Sequence, residues 1–305
     1  LNFTGGGKGA FRGNALRFLS SLSSKSLLIR PQPATPLLSY RIPFMTQPEK
    51  TTPIGASPSP HTEARRAFPA GLEQPEGSFR FSVDALLLAA FAASHTTDVT
   101  IRFIDLGTGC GVVGLAYLLL KRNICQGFGM DCNPELIAAA QNNTAKLGFS
   151  DRFALHTGEL ADTRFLENLR MEASPVQLVM ANPPWRLVGS GRLPATEARR
   201  KALFGDKGTF PLFTSAASLL EKDGRFACII SPDRLQDMLA ALDGAGLTPY
   251  LLQYIHKQKT SPATFVLIEA RKGAHAKPSV AEPIALYGPE RFFTLESLAF
   301  CPFLR

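Results

Sequence analysis

The chain has 305 residues, of which 45% are hydrophobic and 19% are charged, as in an ordinary globular protein. Its longest apolar run, residues 85–93, is far shorter than the roughly 20 residues of a membrane span, so no membrane association is predicted. The five cysteines form no C-x-x-C pair. This pattern argues against a disulfide framework or a metal site and predicts a reducing, cytoplasmic location.

The net charge of +8 is unevenly distributed along the chain. Residues 1–48 contain no acid and supply six of the eight excess charges: Lys8, Arg12, Arg17, Lys25, Arg30 and Arg41. The remaining chain is close to neutral. The overall charge is therefore a poor indicator of nucleic-acid binding by the folded part.

Glycine, serine and proline recur throughout residues 1–72, which predicts a poorly ordered extension before a folded domain over residues 73–305. Three interpretations of residues 1–44 remain open. The segment is an organelle transit peptide, a basic flexible arm, or an over-extended reading frame that precedes a true start at Met45.

From Gly77 onward the pattern predicts regular elements. Ser82 or Asp84 is placed to cap an apolar helix over residues 85–93, and Pro134 and Gly148 are suited to begin and end another helix. Strands are predicted over residues 99–106, 124–131, 153–157, 176–181, 225–231, 250–257 and 264–270. Further helices are predicted over residues 111–121, 134–147, 162–171, 210–222 and 232–243.

This alternation predicts an α/β fold with a doubly wound, mostly parallel, seven-stranded sheet of the Rossmann-like type. Ligands of such sheets lie beyond the carboxyl ends of the strands. Two motifs follow predicted strands at those ends: Asp105-Leu-Gly-Thr-Gly-Cys-Gly111 and Asn182-Pro-Pro-Trp185. The ligand site is expected there.

The first motif is a glycine turn between a strand and a helix. Gly107, Gly109 and Gly111 permit close approach of a cofactor to the backbone and to the helix amino terminus. Residues 109–114 also match G-x-G-x-x-G, with an acid at Asp131, so a nicotinamide or flavin enzyme is an alternative. A third interpretation is a turn that only lets strand and helix pack.

Three acidic residues are predicted to contact the cofactor, and the first of them favours S-adenosylmethionine over a dinucleotide. The carboxylate of Asp105 would repel a pyrophosphate but attract the ammonium group of a methionine moiety. Asp131 ends the second strand, where an acid accepts the ribose hydroxyls of either cofactor. Glu159, after the third strand, is expected to accept a hydrogen bond from the adenine amino group, or to lie in a solvated helix cap.

The second motif suits methyl transfer to a planar nitrogen. The side-chain oxygen of Asn182 and the carbonyl of Pro183 can accept both hydrogens of an amino group, and the proline rings fix that carbonyl. The aromatic ring of Trp185 can stack on the acceptor. Two prolines that merely end a strand explain neither the asparagine nor the tryptophan. Asn182, Pro183, Pro184 and Trp185 are therefore the predicted catalytic residues.

These motifs, with the stretch Arg80-Phe-Ser-Val-Asp84, the late segment 267–272 and the tail 287–294, resemble the bacterial tRNA1(Val) (adenine-37-N6)-methyltransferase family. The resemblance covers roughly three-quarters of the chain and implies a class I S-adenosylmethionine-dependent fold. Trp185 departs from the tyrosine or phenylalanine usual in the family but keeps the aromatic face. The implied cofactor-binding residues are Asp84, Asp105, Gly107, Thr108, Gly109, Asp131, Glu159 and Asn182.

The loop after Trp185 is basic, and Arg199, Arg200 and Lys201 are predicted to bind the phosphates of an RNA whose target base is swung out. A solvated loop is the alternative. The predicted activity is N6-methylation of adenine in tRNA or another structured RNA by a monomer. Methylation of a protein glutamine is the alternative within the class, and an NAD(P)-dependent oxidoreductase is the alternative outside it.

Overall fold

The computed structural model describes residues 60–78, 80–95, 101–121, 125–187, 204–274 and 277–305, and the structural statements below concern these ranges. Residues 1–59, which carry most of the predicted extension and its three interpretations, lie outside the described residues. Ser59–Arg305 forms one compact unit.

The described strands are β1 (Ile101–Leu106), β2 (Cys125–Asp131), β3 (Phe153–Thr157), β4 (Val176–Ala181), β5 (Arg186–Leu187), β6 (Phe204–Gly205), β7 (Leu220–Ile230), β8 (Leu247–Gln258), β9 (Ala263–Lys272), β10 (Ser279–Val280) and β11 (Ile284–Tyr287). Nine of them form one sheet in the order β10-β8-β9-β7-β4-β1-β2-β3, with β11 also beside β8. Within this sheet β9 runs antiparallel between β7 and β8, and the other pairs are parallel. The predicted mostly parallel α/β architecture is confirmed.

The predicted count of seven strands is wrong for the described sheet, which has nine. The two additional strands, β10 and β11, have two and four residues and pair in succession along β8. Strands this short carry too little alternation to be recognised from sequence, because their pairing depends on the edge that β8 offers.

The described α-helices are α1 (Pro60–Ala67), α2 (Val83–Ser94), α3 (Val112–Lys121), α4 (Pro134–Lys146), α5 (Thr163–Ala173), α6 (Thr209–Thr214), α7 (Leu235–Gly244) and α8 (Leu295–Phe300). Buried residues form two apolar clusters. Phe91 of α2 and Leu115 of α3 belong to one cluster, whereas Leu169 of α5 and Met238 of α7 belong to the other. Helices that contribute to two separate cores fit the predicted doubly wound arrangement.

The local signals for α4 act as predicted. Pro134 occupies its first turn, the side chain of Asn133 accepts a hydrogen bond from the backbone N–H of Glu135, and Gly148 follows the helix with a φ of 69°. The predicted helix over residues 210–222 is wrong at its end. There α6 gives way to a 3-10 turn, and β7 begins at Leu220, which pairs with Val176 of β4. Tertiary pairing thus overrides the local helical pattern.

The last part of the predicted disordered extension is ordered. Residues 60–67 form helix α1, the guanidinium of Arg65 donates to the carbonyl of Leu147, and Leu72 is buried in the core. The boundary predicted at residue 72 therefore lies too late in the chain. Proline in the first turn of a helix is compatible with helical structure, which the proline-rich composition of this region obscured.

Among the described helices none is both long and apolar enough to cross a membrane.

Candidate active site

The two sequence motifs lie side by side at the carboxyl edge of the sheet. Leu106, the last residue of β1, pairs with Ala181, the last residue of β4. The glycine turn and Asn182 therefore leave neighbouring strands at the same level, about 5 Å apart. β2 flanks β1 on its other side, where Leu106 pairs with Met130, so Asp131 joins the same edge. The register brings the predicted cofactor and acceptor residues into one site.

The glycine turn has the backbone conformation that the sequence predicts. Gly107, Gly109 and Gly111 have φ angles of 65°, 55° and 87°, which side chains rarely tolerate. A Cβ atom built on Gly111 would approach Ala140 of α4 to 3.3 Å, so this glycine lets the turn pack on that helix. A Cβ on Gly109 would meet nothing within 4 Å. The backbone at Gly109 thus faces open space that a cofactor can enter.

Asp105 lies beneath this turn with only 1% of its surface exposed. Its Oδ2 accepts hydrogen bonds from the Thr108 hydroxyl at 2.7 Å and from the Gly114 N–H at 3.0 Å. Burial is the main cause that raises its pKa to about 7, a nearby Asp131 carboxylate adds to the rise, and the two hydrogen bonds oppose it. Asp105 therefore fastens the turn to helix α3, and direct contact with the cofactor stays a prediction.

Asp131, at the end of β2, is more accessible than Asp105. Its Oδ2 accepts a hydrogen bond from the Gly109 N–H at 3.0 Å and its Oδ1 accepts one from the Asn133 N–H at 2.9 Å. Burial raises its pKa, and hydrogen bonds from the backbone oppose the rise. The carboxylate thus adjoins the open side of the glycine turn, where the sequence predicts that it accepts ribose hydroxyls.

Two more of the predicted cofactor residues, Thr108 and Glu159, differ in exposure. Thr108 is buried. Its N–H donates to the carbonyl of Met130, and its hydroxyl donates to Asp105. Glu159 is exposed beyond β3. Its alternative role as a helix cap is taken by Asp162, whose side chain accepts from two N–H groups at the start of α5. A contact between Glu159 and an adenine stays a prediction.

Asn182 is hydrogen-bonded to the first turn of helix α2. Its Nδ2 donates to Oδ2 of Asp84 at 2.9 Å, across 98 residues of sequence. The hydroxyl of Ser82 donates to Oδ1 of the same carboxylate. Ser82 occupies the N-cap position of α2, but its hydroxyl makes no capping bond to the backbone. Both oxygens of Asp84 are thus engaged within the protein, whereas the sequence led us to expect a contact with the cofactor.

Trp185 is held at the other end of the same loop. Nη1 of Arg234 donates to its carbonyl at 2.9 Å, and the Arg234 side chain is buried over the ring of Phe210. The indole packs edge-on against Phe265, with ring centroids 6.2 Å apart, and the guanidinium of Arg186 lies 5.5 Å from its centroid. The predicted acceptor loop is therefore anchored both at Asn182 and at Trp185.

Strands β5 and β6 pair with each other and lie before and after residues 188–203 in the sequence. Residues 188–203, which include Arg199, Arg200 and Lys201, lie outside the described residues. In β6, a Cβ atom on Gly205 would come within 2.4 Å of the Pro184 carbonyl oxygen. Only a glycine lets this strand pass so close to the acceptor loop.

Sequence reasoning missed four residues that shape the site: Asn143, Gly205, Arg234, and Ser82 as a partner of Asp84. Asn143 is buried, and its Nδ2 donates to the carbonyls of Glu73 and of Cys110 in the glycine turn. A buried asparagine and a buried arginine look like surface residues in a sequence, because composition alone does not reveal their partners. For Gly205 the only signal was a glycine beside the turn-forming Asp206.

The residues present fit S-adenosylmethionine. Gly109 borders open space, and the Asp131 carboxylate lies at its rim. Oε1 of Gln74 is buried without a hydrogen-bond partner, and the adjoining Glu73 is joined to the glycine turn through Asn143. Within the described ranges, no group of three or more His, Cys, Asp or Glu side chains is arranged to hold a metal ion.

The chain is similar in sequence to known enzymes, although no family model matches it. It is 25% identical over 202 residues to a tRNA1(Val) (adenine(37)-N6)-methyltransferase of Parabacteroides distasonis, covering 66% of this chain and 80% of that protein. It is 29% identical over 173 residues to the enzyme of that name from Porphyromonas gingivalis, covering 55% and 64%. A release factor glutamine methyltransferase of Rhodospirillum rubrum is 29% identical over 189 residues, covering 59% and 54%.

The fold is similar to that of a solved structure described as a predicted O-methyltransferase from Agrobacterium tumefaciens. The TM-score is 0.56 at 21% sequence identity, covering 72% of this chain and 96% of that chain. At this identity the likeness establishes the fold alone. In the described sheet, β9 runs antiparallel between β7 and β8. This arrangement differs from the dinucleotide-binding sheet, which is built from two β-α-β-α-β halves with parallel strands.

Proposed function

We propose that this chain, an S-adenosylmethionine-dependent methyltransferase related to the tRNA1(Val) (adenine(37)-N6)-methyltransferases, methylates the exocyclic N6 of an adenine in tRNA. The predicted relationship, enzyme class and cofactor are confirmed by the sequence relatives. The RNA substrate and the role of each residue are our proposal. The matched region spans 80% of one relative and 64% of another.

The observation that carries the proposal is the position and orientation of Asn182. It leaves β4 beside the glycine turn, and its Nδ2 is directed at a carboxylate. Since a carboxylate only accepts hydrogen bonds, the amide orientation is unambiguous, and Oδ1 points away from Asp84. A free side-chain oxygen next to the cofactor turn is suited to accept a hydrogen from an amino group.

Chemistry at N6 requires that the nitrogen lone pair leave the conjugated ring system. Oδ1 of Asn182 and the carbonyl of Pro183 accept the two N6 hydrogens and draw the nitrogen toward a tetrahedral geometry. S-adenosylmethionine supplies an electrophilic methyl group when bound. A strong base is not needed, because the proton leaves after the nitrogen has become cationic. Catalysis then rests on alignment and electrostatics.

The acceptor base is held by stacking. Trp185 packs edge-on against Phe265, and its ring is only partly buried. Stacking of a base on an aromatic ring contributes about 1–3 kcal/mol. The nearby Arg186 guanidinium adds positive charge for a phosphate backbone. Together these groups suit a base swung out of a loop rather than one paired in a duplex.

A protein glutamine is the competing acceptor, because its side-chain amide also presents a planar NH2 group and one relative is named for this activity. The experiment incubates purified protein with labelled S-adenosylmethionine and, separately, total tRNA, a release-factor peptide and small free amines. N6-methyladenosine in digested tRNA, identified by mass spectrometry, is the expected result. Label in the peptide alone would transfer the proposal to glutamine, and an Asn182→Ala protein that still binds S-adenosylhomocysteine provides the inactive control.

A further inference from the structure

We propose that Asp84 is a positioning residue for methyl transfer, which fixes the Asn182 amide so that its oxygen faces the acceptor amine. The inference rests on the proposed role of Asn182 as a hydrogen-bond acceptor for that amine. It assigns to Asp84 a function in the reaction that is distinct from cofactor binding.

The contact has the features of a fixed support. Asp84 lies in the first turn of α2 and is 4% exposed, and its Oδ2 accepts from Nδ2 of Asn182 at 2.9 Å. Its Oδ1 accepts from the hydroxyl of Ser82, which prevents the carboxylate from rotating freely. Ten consecutive residues of α2 are buried, so packing in the core holds the helix in place.

The carboxylate selects one of two amide orientations. If the Asn182 amide flipped, its oxygen would face Oδ2 of Asp84 and a charge-assisted hydrogen bond would be replaced by repulsion. In the flipped state the amide would also present NH2 to the acceptor amine, so donor would face donor. The Asp84 carboxylate therefore determines whether the oxygen of Asn182 faces the acceptor.

A purely structural role explains the contact less well. A nearly buried carboxylate is costly unless its partners compensate, and an apolar residue at position 84 would let the apolar helix pack without that cost. The partner of Asp84 is Asn182, which is proposed to accept a hydrogen bond from the acceptor amine. Ser82, which donates to the same carboxylate, makes no capping hydrogen bond to the helix backbone. Hydrogen bonds thus connect Ser82, at the start of α2, through Asp84 to Asn182 in the acceptor loop.

The test exchanges the two groups. Asn182→Asp alone places two carboxylates in contact, and we expect kcat to fall by about 100-fold or more. Adding Asp84→Asn restores a hydrogen bond with donor and acceptor exchanged and keeps an oxygen directed at the amine. The double variant should recover at least about tenfold in kcat over the single Asn182→Asp variant.

Removal of the support alone gives a second measurement. Asp84→Ala should lower kcat by about 10- to 100-fold and change the KM for tRNA less, while S-adenosylhomocysteine affinity stays within about twofold. Asp84→Asn should retain more activity, because its amide oxygen can still accept from Asn182. Asp243→Asn, which changes an exposed carboxyl on α7, is the matched control and should behave as the wild type.

A readout without turnover separates this inference from the proposed function. The side-chain NH2 signals of Asn182, assigned by their loss in Asn182→Asp, should move and exchange faster with solvent in Asp84→Ala. Two results would overturn the positioning role: unchanged NH2 signals in Asp84→Ala, or equal kcat in Asn182→Asp and in the double variant Asn182→Asp with Asp84→Asn. Absence of N6-methyladenosine with the wild-type enzyme would instead refute the RNA substrate, and the amide signals would still decide the role of Asp84.

Discussion

Asp105 makes the stability of this protein depend on pH in an unusual direction. The side chain is 1% exposed, and its pKa rises from 3.8 to about 7, chiefly through burial. Below both values the carboxyl is protonated in the folded and the unfolded chain. Between them the unfolded chain loses its proton and the folded chain keeps it, so the free energy of unfolding decreases as the pH rises.

The magnitude follows from the shift. Each pKa unit corresponds to about 1.4 kcal/mol, so the full effect is about 4 kcal/mol above pH 7. Between pH 5 and pH 8 the wild type should lose about 3 kcal/mol through this residue. Asp105→Asn removes the titrating group but keeps an oxygen that can accept from Thr108 and Gly114. Its stability should therefore lack this component of the pH dependence.

The assay is reversible urea unfolding of both proteins without cofactor at half-unit intervals from pH 5 to pH 8. The variant should gain stability relative to the wild type as the pH rises, with most of the gain below pH 7. Asp243→Asn serves as a control for removal of an exposed carboxyl. Parallel curves for the wild type and Asp105→Asn would show that Asp105 titrates as an ordinary carboxyl and that its burial has no such consequence.

Three other changes probe separate parts of the site. Asp131→Ala should weaken S-adenosylhomocysteine binding by about 1–3 kcal/mol in calorimetry, since the ribose hydroxyls lose a charged acceptor, and unaltered affinity would refute that contact. Gly205→Ala forces a Cβ against the Pro184 carbonyl oxygen at 2.4 Å, so kcat should fall more than cofactor affinity, whereas equal kcat would mean that β6 can move aside. Replacement of Arg199, Arg200 and Lys201 by Ala should weaken tRNA binding in filter assays and flatten its salt dependence, and an unchanged salt slope would exclude phosphate contacts there.

Sequence patterns identified the fold and the two motifs because each depends on local chemistry. The glycines at 107, 109 and 111 require left-handed backbone, and they adopt it. Apolar runs that end in polar residues revealed β1, β2 and β4, because buried parallel strands are continuously apolar. Residues 220–222 were assigned to a helix, since nothing in the local pattern reveals that Leu220 pairs with Val176. Long-range pairing is the information that a single sequence lacks.

The partners of Arg234 and Asp84 could not be predicted from the sequence for the same reason. Charged residues are usually exposed, so the sequence alone does not predict that the side chains of Arg234 and Asp84 are buried. In the structure, Arg234 is 2% exposed and Asp84 is 4% exposed, because each has a partner far along the chain. Their burial is tolerated only with those partners. A sequence motif therefore indicates the groups that are proposed to meet the substrate, whereas the contacts that orient these groups emerge only from the fold.

The register of β1 against β4 explains why the two motifs lie side by side. Leu106 pairs with Ala181, so a one-residue slip would carry Asn182 away from the glycine turn and reverse the faces of β4. Both strands are buried on each side, which disfavours such a slip. Helix α2 adds a third constraint, because Asp84 in its first turn accepts a hydrogen bond from Asn182, the first residue after β4. Substitutions that shift α2 against the sheet are thus expected to alter turnover before they unfold the protein.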